Sequence, residues 1–122
     1  CCPVSFGETA GFVPDCGSMC YGIEKATGKR PVFIGKPEPT MIDIVRNKFG
    51  CTREETLVIG DRLYTDIASG NNAGVDTVCV LSGEASEEDI RSSEEKPTYT
   101  FRDIKALWRY YDQNSDLTIV RR

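Results

Sequence analysis

The chain has 122 residues, 39% of them hydrophobic and 28% charged, which suits one small globular domain or a piece of a larger one. A formal net charge of -4, with Lys29-Arg30 and Arg121-Arg122 as the only adjacent basic pairs, excludes nucleic acid as a main partner, because phosphate backbones are bound through basic patches. No apolar run approaches the roughly 20 residues that span a bilayer, and no signal-like segment opens the chain, so no membrane association and a cytoplasmic location are expected.

Residues 1 to 15, with Pro3, Gly7, Gly11 and Pro14, read as a loop. From Gly17 to Thr27 the apolar positions Met19, Cys20, Ile23 and Ala26 recur at three and four, which predicts a helix with one buried stripe, stopped by Gly28. Pro31-Val32-Phe33-Ile34-Gly35 reads as a short strand and Lys36-Pro37-Glu38-Pro39-Thr40 as a turn. Met41, Ile42, Val45 and Phe49 then mark the inner face of a helix ending at Gly50. A strand at 56 to 60, a helix from about Thr65 to Asn72 closed by Gly74, and a strand at 76 to 81 make one βαβ unit with parallel strands. Ser86 to Ser92 opens with acidic residues suited to a helix N-terminus, Thr98 to Phe101 reads as an edge strand, and Ile104, Leu107, Trp108 and Tyr111 predict a final amphipathic helix.

Six cysteines raise the question of a disulfide scaffold. Cys79 lies within a predicted strand and reads as a buried apolar thiol. Cys16 and Cys20 lie four apart on a predicted helix and form at most half of a soft-metal site, for there is no second pair and no histidine. The lack of histidine also excludes, for this chain alone, serine or cysteine hydrolases that use an imidazole base. Carboxylates and lysines remain as the reactive groups.

The most informative stretch is the apolar run Thr56-Leu57-Val58-Ile59 that stops at Gly60-Asp61-Arg62-Leu63-Tyr64-Thr65-Asp66. Ligands of open α/β sheets bind at the carboxyl ends of strands. Asp61 leaves the strand tip there, and Asp66, in the first turn of the next helix, faces back toward it. Two hard oxygen donors on one spot predict a magnesium site with Asp61 and Asp66 as its ligands. Lys36, between a predicted strand and a predicted helix, is placed for an anion, where an ammonium neutralises charge on a transferring phosphoryl group.

On these residues the chain resembles the haloacid dehalogenase (HAD) superfamily of phosphatases, in its NagD-like, p-nitrophenylphosphatase branch. Gly35-Lys36-Pro37-Glu38-Pro39 is similar to the branch's third motif, Val58 to Asp66 to its fourth, and Leu81-Ser82-Gly83 to the segment after the next strand. The resemblance implies a Rossmann-like parallel-sheet core of α/β class and a Mg²⁺-dependent phosphate monoester hydrolase acting on a small phosphorylated metabolite. It also implies roles: Lys36 would contact the phosphoryl group and the nucleophile, Asp61 would ligate magnesium, and Asp66 would complete the metal site directly or through water.

The superfamily attacks phosphorus with the first aspartate of an Asp-x-Asp motif, and no Asp-x-Asp occurs in these 122 residues. The chain therefore reads as a C-terminal portion, inactive alone. Residues 1–30 would be the tail of an inserted α/β cap and 31–122 the C-terminal half of the core, with Cys1, Cys2 and Pro3 near a leaving group in the intact enzyme. Without its neighbouring strands, the strand at 56 to 60 has an unpaired apolar edge, which predicts a homodimer or other association through that edge. The rival reading is a non-catalytic α/β binding or regulatory module whose acidic turn merely caps a helix through Asp66.

Overall fold

In the computed structural model the backbone is described for residues 2–6, 9–14 and 16–113, and side chains for residues 14 and 16–113. The chain divides into two compact units, Cys1–Phe33 and Ile34–Arg122.

The first unit holds two strands and a helix. β1 (Cys2–Phe6) pairs antiparallel with β2 (Thr9–Val13), in a register running from Cys2 opposite Val13 to Phe6 opposite Thr9. This corrects the expected loop. Two residues separate the paired ends, and Gly7 as the first of them is a hairpin signal that the scattered glycines and prolines obscured. α1 (Cys16–Thr27) forms where its spacing predicts, but its expected buried stripe is not buried: Met19 and Ile23 are 61% and 62% exposed. Periodicity shows which face of a helix is apolar, and burial needs a surface to cover it. Cys1, and the side chains of Cys2 and Pro3, lie outside the described residues.

The predicted strand at 31 to 35 is also absent. Residues 31–34 are irregular and Val32 is 87% exposed. β-branched and aromatic residues suit a pleated surface without creating one, and no strand pairs with them among the described residues.

The second unit is α/β, as expected. α2 (Thr40–Phe49) leads to β3 (Leu57–Gly60), a π-helical turn (Leu63–Ile67), α3 (Ala68–Ala73), β4 (Asp76–Val80), α4 (Glu87–Ser92), β5 (Tyr99–Phe101) and α5 (Ile104–Gln113). Gly50 and Gly74 close α2 and α3 in the left-handed conformation, at φ 70° and 67°, which glycine adopts at no steric cost. The three strands are parallel in the order β3-β4-β5, so β4 is central and β3 is an edge. Leu57 lies opposite Asp76 and Gly60 opposite Cys79.

The core gathers around β4. Thr77, Val78 and Cys79 are buried, and Leu63, Ile67 and Ala85 join Cys79 in one cluster with Ile90 packed against it. Thr77, the buried polar member, is satisfied by Thr98, whose N–H donates to Thr77 Oγ1 at 3.0 Å while the Thr77 N–H donates to Thr98 Oγ1 at 3.0 Å. α4 starts with a full capping box: Ser86 Oγ accepts the Asp89 N–H at 3.2 Å, and Asp89 accepts the Ser86 N–H at 2.9 Å. No residue of α2 or α5 is buried, although both carry the apolar stripes their spacing predicts. No helix among the described residues is long and apolar enough to cross a membrane.

Candidate active site

β3 ends at Gly60 and the chain passes directly into Asp61, so that residue sits at the carboxyl end of a parallel strand. Asp66, in the π-helical turn, folds back onto the same end. A Cβ built on Gly60 would lie 2.2 Å from the Asp66 Cβ and 2.8 Å from its Oδ2, so only glycine admits the carboxylate here. Asp66 thus rests against the residue preceding Asp61, and the two acids share one corner of the sheet.

The loop after β4 holds Asp61 from the other side. Its Oδ2 accepts the backbone N–H of Glu84 at 3.0 Å, and its carbonyl accepts the N–H of Ala85 at 3.0 Å. A Cβ on Gly83 would lie 2.1 Å from that Oδ2, so this loop too approaches closely because glycine is there. Among the described residues no donor reaches Asp61 Oδ1.

Lys36 arrives from a turn before α2. Glu38 N–H donates to the Gly35 carbonyl at 3.1 Å, and the Asn72 side-chain amide donates to the Pro37 carbonyl at 3.0 Å, tying the turn to α3. Lys36 Nζ donates to Asp66 Oδ1 at 2.5 Å, while Asp66 Oδ2 accepts the Arg62 N–H at 3.3 Å. The lysine side chain is 56% exposed and the aspartate side chain 13%, which sets a cation at the solvent mouth above a largely covered carboxylate.

The three residues named from sequence therefore meet at one strand end. Asp66 does not cap a helix, as the rival reading required. Neither the π-helical turn nor α3 has a side-chain cap, and Asp66 accepts an N–H four residues before itself. Sequence reasoning missed Glu84. Its carboxylate pairs with Arg62 Nε at 2.6 Å and accepts the Tyr64 hydroxyl at 2.9 Å, which fastens the loop after β4 to the acidic turn. The available signal was its position just past the carboxyl end of the next parallel strand, where ligand-facing loops lie.

Below the carboxylates, Cys79 is completely buried. Burial pushes its thiol pKa up, and the charges of Asp61 and Asp66 push it further, so it is an inert structural thiol. Cys16 and Cys20 lie with their sulfurs 3.8 Å apart, and hydrogen bonding to Cys16, ahead of burial, raises the pKa of Cys20. No third metal-binding side chain joins them among the described residues.

No group of three metal-binding side chains forms among the described residues, so Asp61 and Asp66 offer two carboxylates, a number compatible with magnesium. Mg²⁺ takes one or two carboxylates and fills its octahedron with water and substrate oxygens, so a full protein cage is not needed. Asp61 offers an oxygen that no donor among the described residues occupies, and Asp66 retains lone pairs beyond its two bonds. Thr65 Oγ1, next to Asp66 in the chain, is buried with no hydrogen-bond partner among the described residues, a further unmet polar atom in this turn.

A sequence profile described as HAD-hydrolase-like matches residues 33–107, more than half of the chain. The ribonucleotide monophosphatase NagD of Escherichia coli K12 is 44% identical over 97 residues, which are 80% of this chain and 39% of that protein. Among solved structures, a 4-nitrophenylphosphatase from Thermotoga maritima aligns with a TM-score of 0.75 at 40% identity, over 88% of this chain and 40% of that one. A glycerol phosphate phosphatase from Mycobacterium tuberculosis, solved in complex with magnesium, aligns with a TM-score of 0.71 at 36% identity, over 80% of this chain and 30% of that one. The chain thus spans about two fifths of the length of the curated relatives it matches.

Proposed function

Because this chain belongs to the HAD-hydrolase-like family, we propose that the protein it represents is a Mg²⁺-dependent phosphate monoester hydrolase acting on small phosphorylated metabolites in the cytoplasm, and that these residues are its charge and metal half. The observation that carries the reading is the Lys36–Asp66 ion pair at 2.5 Å beside Asp61 at the end of β3. A helix cap or a surface ion pair explains one carboxylate. It does not explain two carboxylates seated against glycines with a lysine paired to one of them.

In this reading Lys36 binds the phosphoryl oxygens and offsets their charge as it spreads in the transition state. Asp66 holds the ammonium in place, so Lys36 is oriented before substrate arrives. Asp61, steadied by the Glu84 N–H, and Asp66 would hold the metal. Magnesium, when bound, supplies charge neutralisation between a dianionic ester and an attacking carboxylate. By the family resemblance that carboxylate is an aspartate that forms an aspartyl-phosphate, and its Asp-x-Asp motif is absent from these 122 residues. Residues 1–30 are read as the tail of the cap domain, and 31–122 as the C-terminal half of the core domain.

The test is calorimetric titration of Mg²⁺ into the full chain and into Asp61→Ala. Heat in the wild type that is lost in the variant supports the metal assignment, and equal heat in both sinks it. Alongside, p-nitrophenyl phosphate with Mg²⁺ is expected to show no hydrolysis above buffer. Turnover abolished by Asp61→Asn would show that the chain carries its own nucleophile and overturn the division of labour.

A further inference from the structure

We propose that Cys16 and Cys20 on α1 are a chelating thiolate pair for a tetrahedral, thiophilic cation of the Zn²⁺ class, with water at the two remaining corners. α1 runs from Cys16 to Thr27, so both donors lie on one helix face, one turn apart. Their side chains turn toward each other and bring the sulfurs to 3.8 Å. No third His, Cys, Asp or Glu side chain joins them among the described residues, so the pair acts as a two-donor edge rather than a closed cage.

The helix decides what two thiols at this spacing can do. A disulfide does not fit it. Helical positions i and i+4 hold their Cβ atoms roughly 5–6 Å apart, against about 3.5–4.5 Å across a disulfide, so closing the bond would unwind the first turn of α1. One shared atom between the sulfurs does fit. Two thiolates bound at about 2.3 Å to a tetrahedral ion stand roughly 3.8 Å apart, which is the separation the helix already sets. A linear two-coordinate ion places its sulfurs at twice the bond length and would need the pair to spread. Hard cations such as Mg²⁺ select oxygen donors, so this pair and the carboxylates of Asp61 and Asp66 differ in the ions they prefer.

Both donors and the backbone that spaces them lie within the single stretch from Cys16 to Cys20, so the pair depends on no other segment of the chain. On binding, each thiol gives its proton to solvent and forms one bond from sulfur to the metal, with no change of oxidation state. Two thiolates and one divalent cation sum to zero, so the complex adds no net charge to the helix. The cross-link spans the first turn of α1, where backbone N–H groups lack helical partners and where starting a helix is costliest. Binding is therefore coupled to order at this terminus.

The test is anaerobic titration of Co²⁺ and then Zn²⁺ into the full chain under a phosphine reductant. The background carries Cys1→Ser, Cys2→Ser and Cys51→Ser, which leaves Cys16 and Cys20 as the only thiols besides the buried Cys79. One equivalent of Co²⁺ is expected to give thiolate charge-transfer absorbance and the intense visible bands of tetrahedral cobalt, bleached by one equivalent of Zn²⁺, with a gain in helical circular dichroism. Cys16→Ser and Cys20→Ser are each expected to weaken binding about 10²-fold or more, as losing one arm of a chelate does. Asp61→Ala is expected to leave it unchanged. In the unsubstituted chain, saturating Zn²⁺ is expected to protect Cys16 and Cys20 together from iodoacetamide, read by peptide mass. Only the pale bands of octahedral cobalt, a signal that survives either serine variant or is lost in Asp61→Ala, or alkylation of either thiol at its metal-free rate overturns the proposal.

Discussion

β3 and β4 lie side by side in one sheet, both short and mutually parallel, yet they occupy opposite conditions. In β4, Val78 is 1% exposed and Cys79 0%, whereas in β3 Leu57 is 46% exposed and Ile59 44%. β4 has a strand on each side and the π-helical turn and α3 packed against it. Among the described residues β3 has one strand neighbour, and no residue of α2 or α5 is buried. Composition does not explain the difference, since β3 is aliphatic apart from Gly60 whereas the better covered β4 includes Asp76 and Thr77. The number of neighbours does. The candidate site is built at the end of the more exposed strand, so the residues that hold the domain together and the residues proposed to act on phosphate are largely different sets.

The sharpest way to break this comparison is to make the same deletion on each side. Ile67→Ala removes a side chain that is completely buried, and a loss of about 2–5 kcal/mol is expected from the transfer and cavity terms, against less than about 1 kcal/mol for Ile59→Ala. Urea midpoints of the two variants measure it, and equal losses would show that the edge is covered in solution. Next in size, Gly60→Ala forces a methyl group into the Asp66 side chain, 2.2 Å from its Cβ. Overpacking of this kind costs about 1–3 kcal/mol, and the displaced carboxylate should also lose its pairing with Lys36, visible as altered Lys36 Nζ shifts by NMR.

On the β4 side, Ser86→Ala removes one half of the α4 capping box, for which about 1 kcal/mol is typical. The effect carries a pH signature. The hydrogen bonds from the Ser86 hydroxyl, then its backbone N–H, hold the Asp89 carboxyl below its ordinary pKa. A lowered folded-state pKa contributes stability that is present above the ordinary aspartate range and is lost as pH falls through the lowered value. Thermal melts of wild type and variant should therefore diverge at neutral pH and converge in acid. The smallest effect belongs to the site itself. Lys36→Gln breaks an ion pair whose cation is more than half exposed, so a change within about 0.5 kcal/mol is expected by denaturation. In the complete enzyme the same substitution should lower kcat by about 10²- to 10³-fold. A large stability loss from Lys36→Gln would make the pair structural and weaken its proposed role.

Much of this was legible in the sequence, and the pattern of success has a physical basis. β3, α3, β4, α4 and α5 were found to within a few residues because capping, glycine termination and periodicity are written within a turn or a strand of where they act. The acidic turn was legible for the same reason: Asp61 and Asp66 are five residues apart. The expected strand at 31 to 35 failed because its apolar residues had no partner strand among the described residues, and the β1–β2 pair was missed because antiparallel pairing outweighed glycine- and proline-rich composition.

By itself the sequence determined the class of the fold, the order of its elements and the two carboxylates beside a glycine, all of which follow from short-range geometry and side-chain chemistry. Only the tertiary structure decided that Lys36 reaches Asp66 across 30 residues, that Glu84 steadies Asp61 across 23, and that β4 is buried between two strands while, among the described residues, β3 has one. Those are matters of which distant segments become neighbours, and hydrophobic burial, being non-directional, sets a side chain's preference for cover without naming what will cover it.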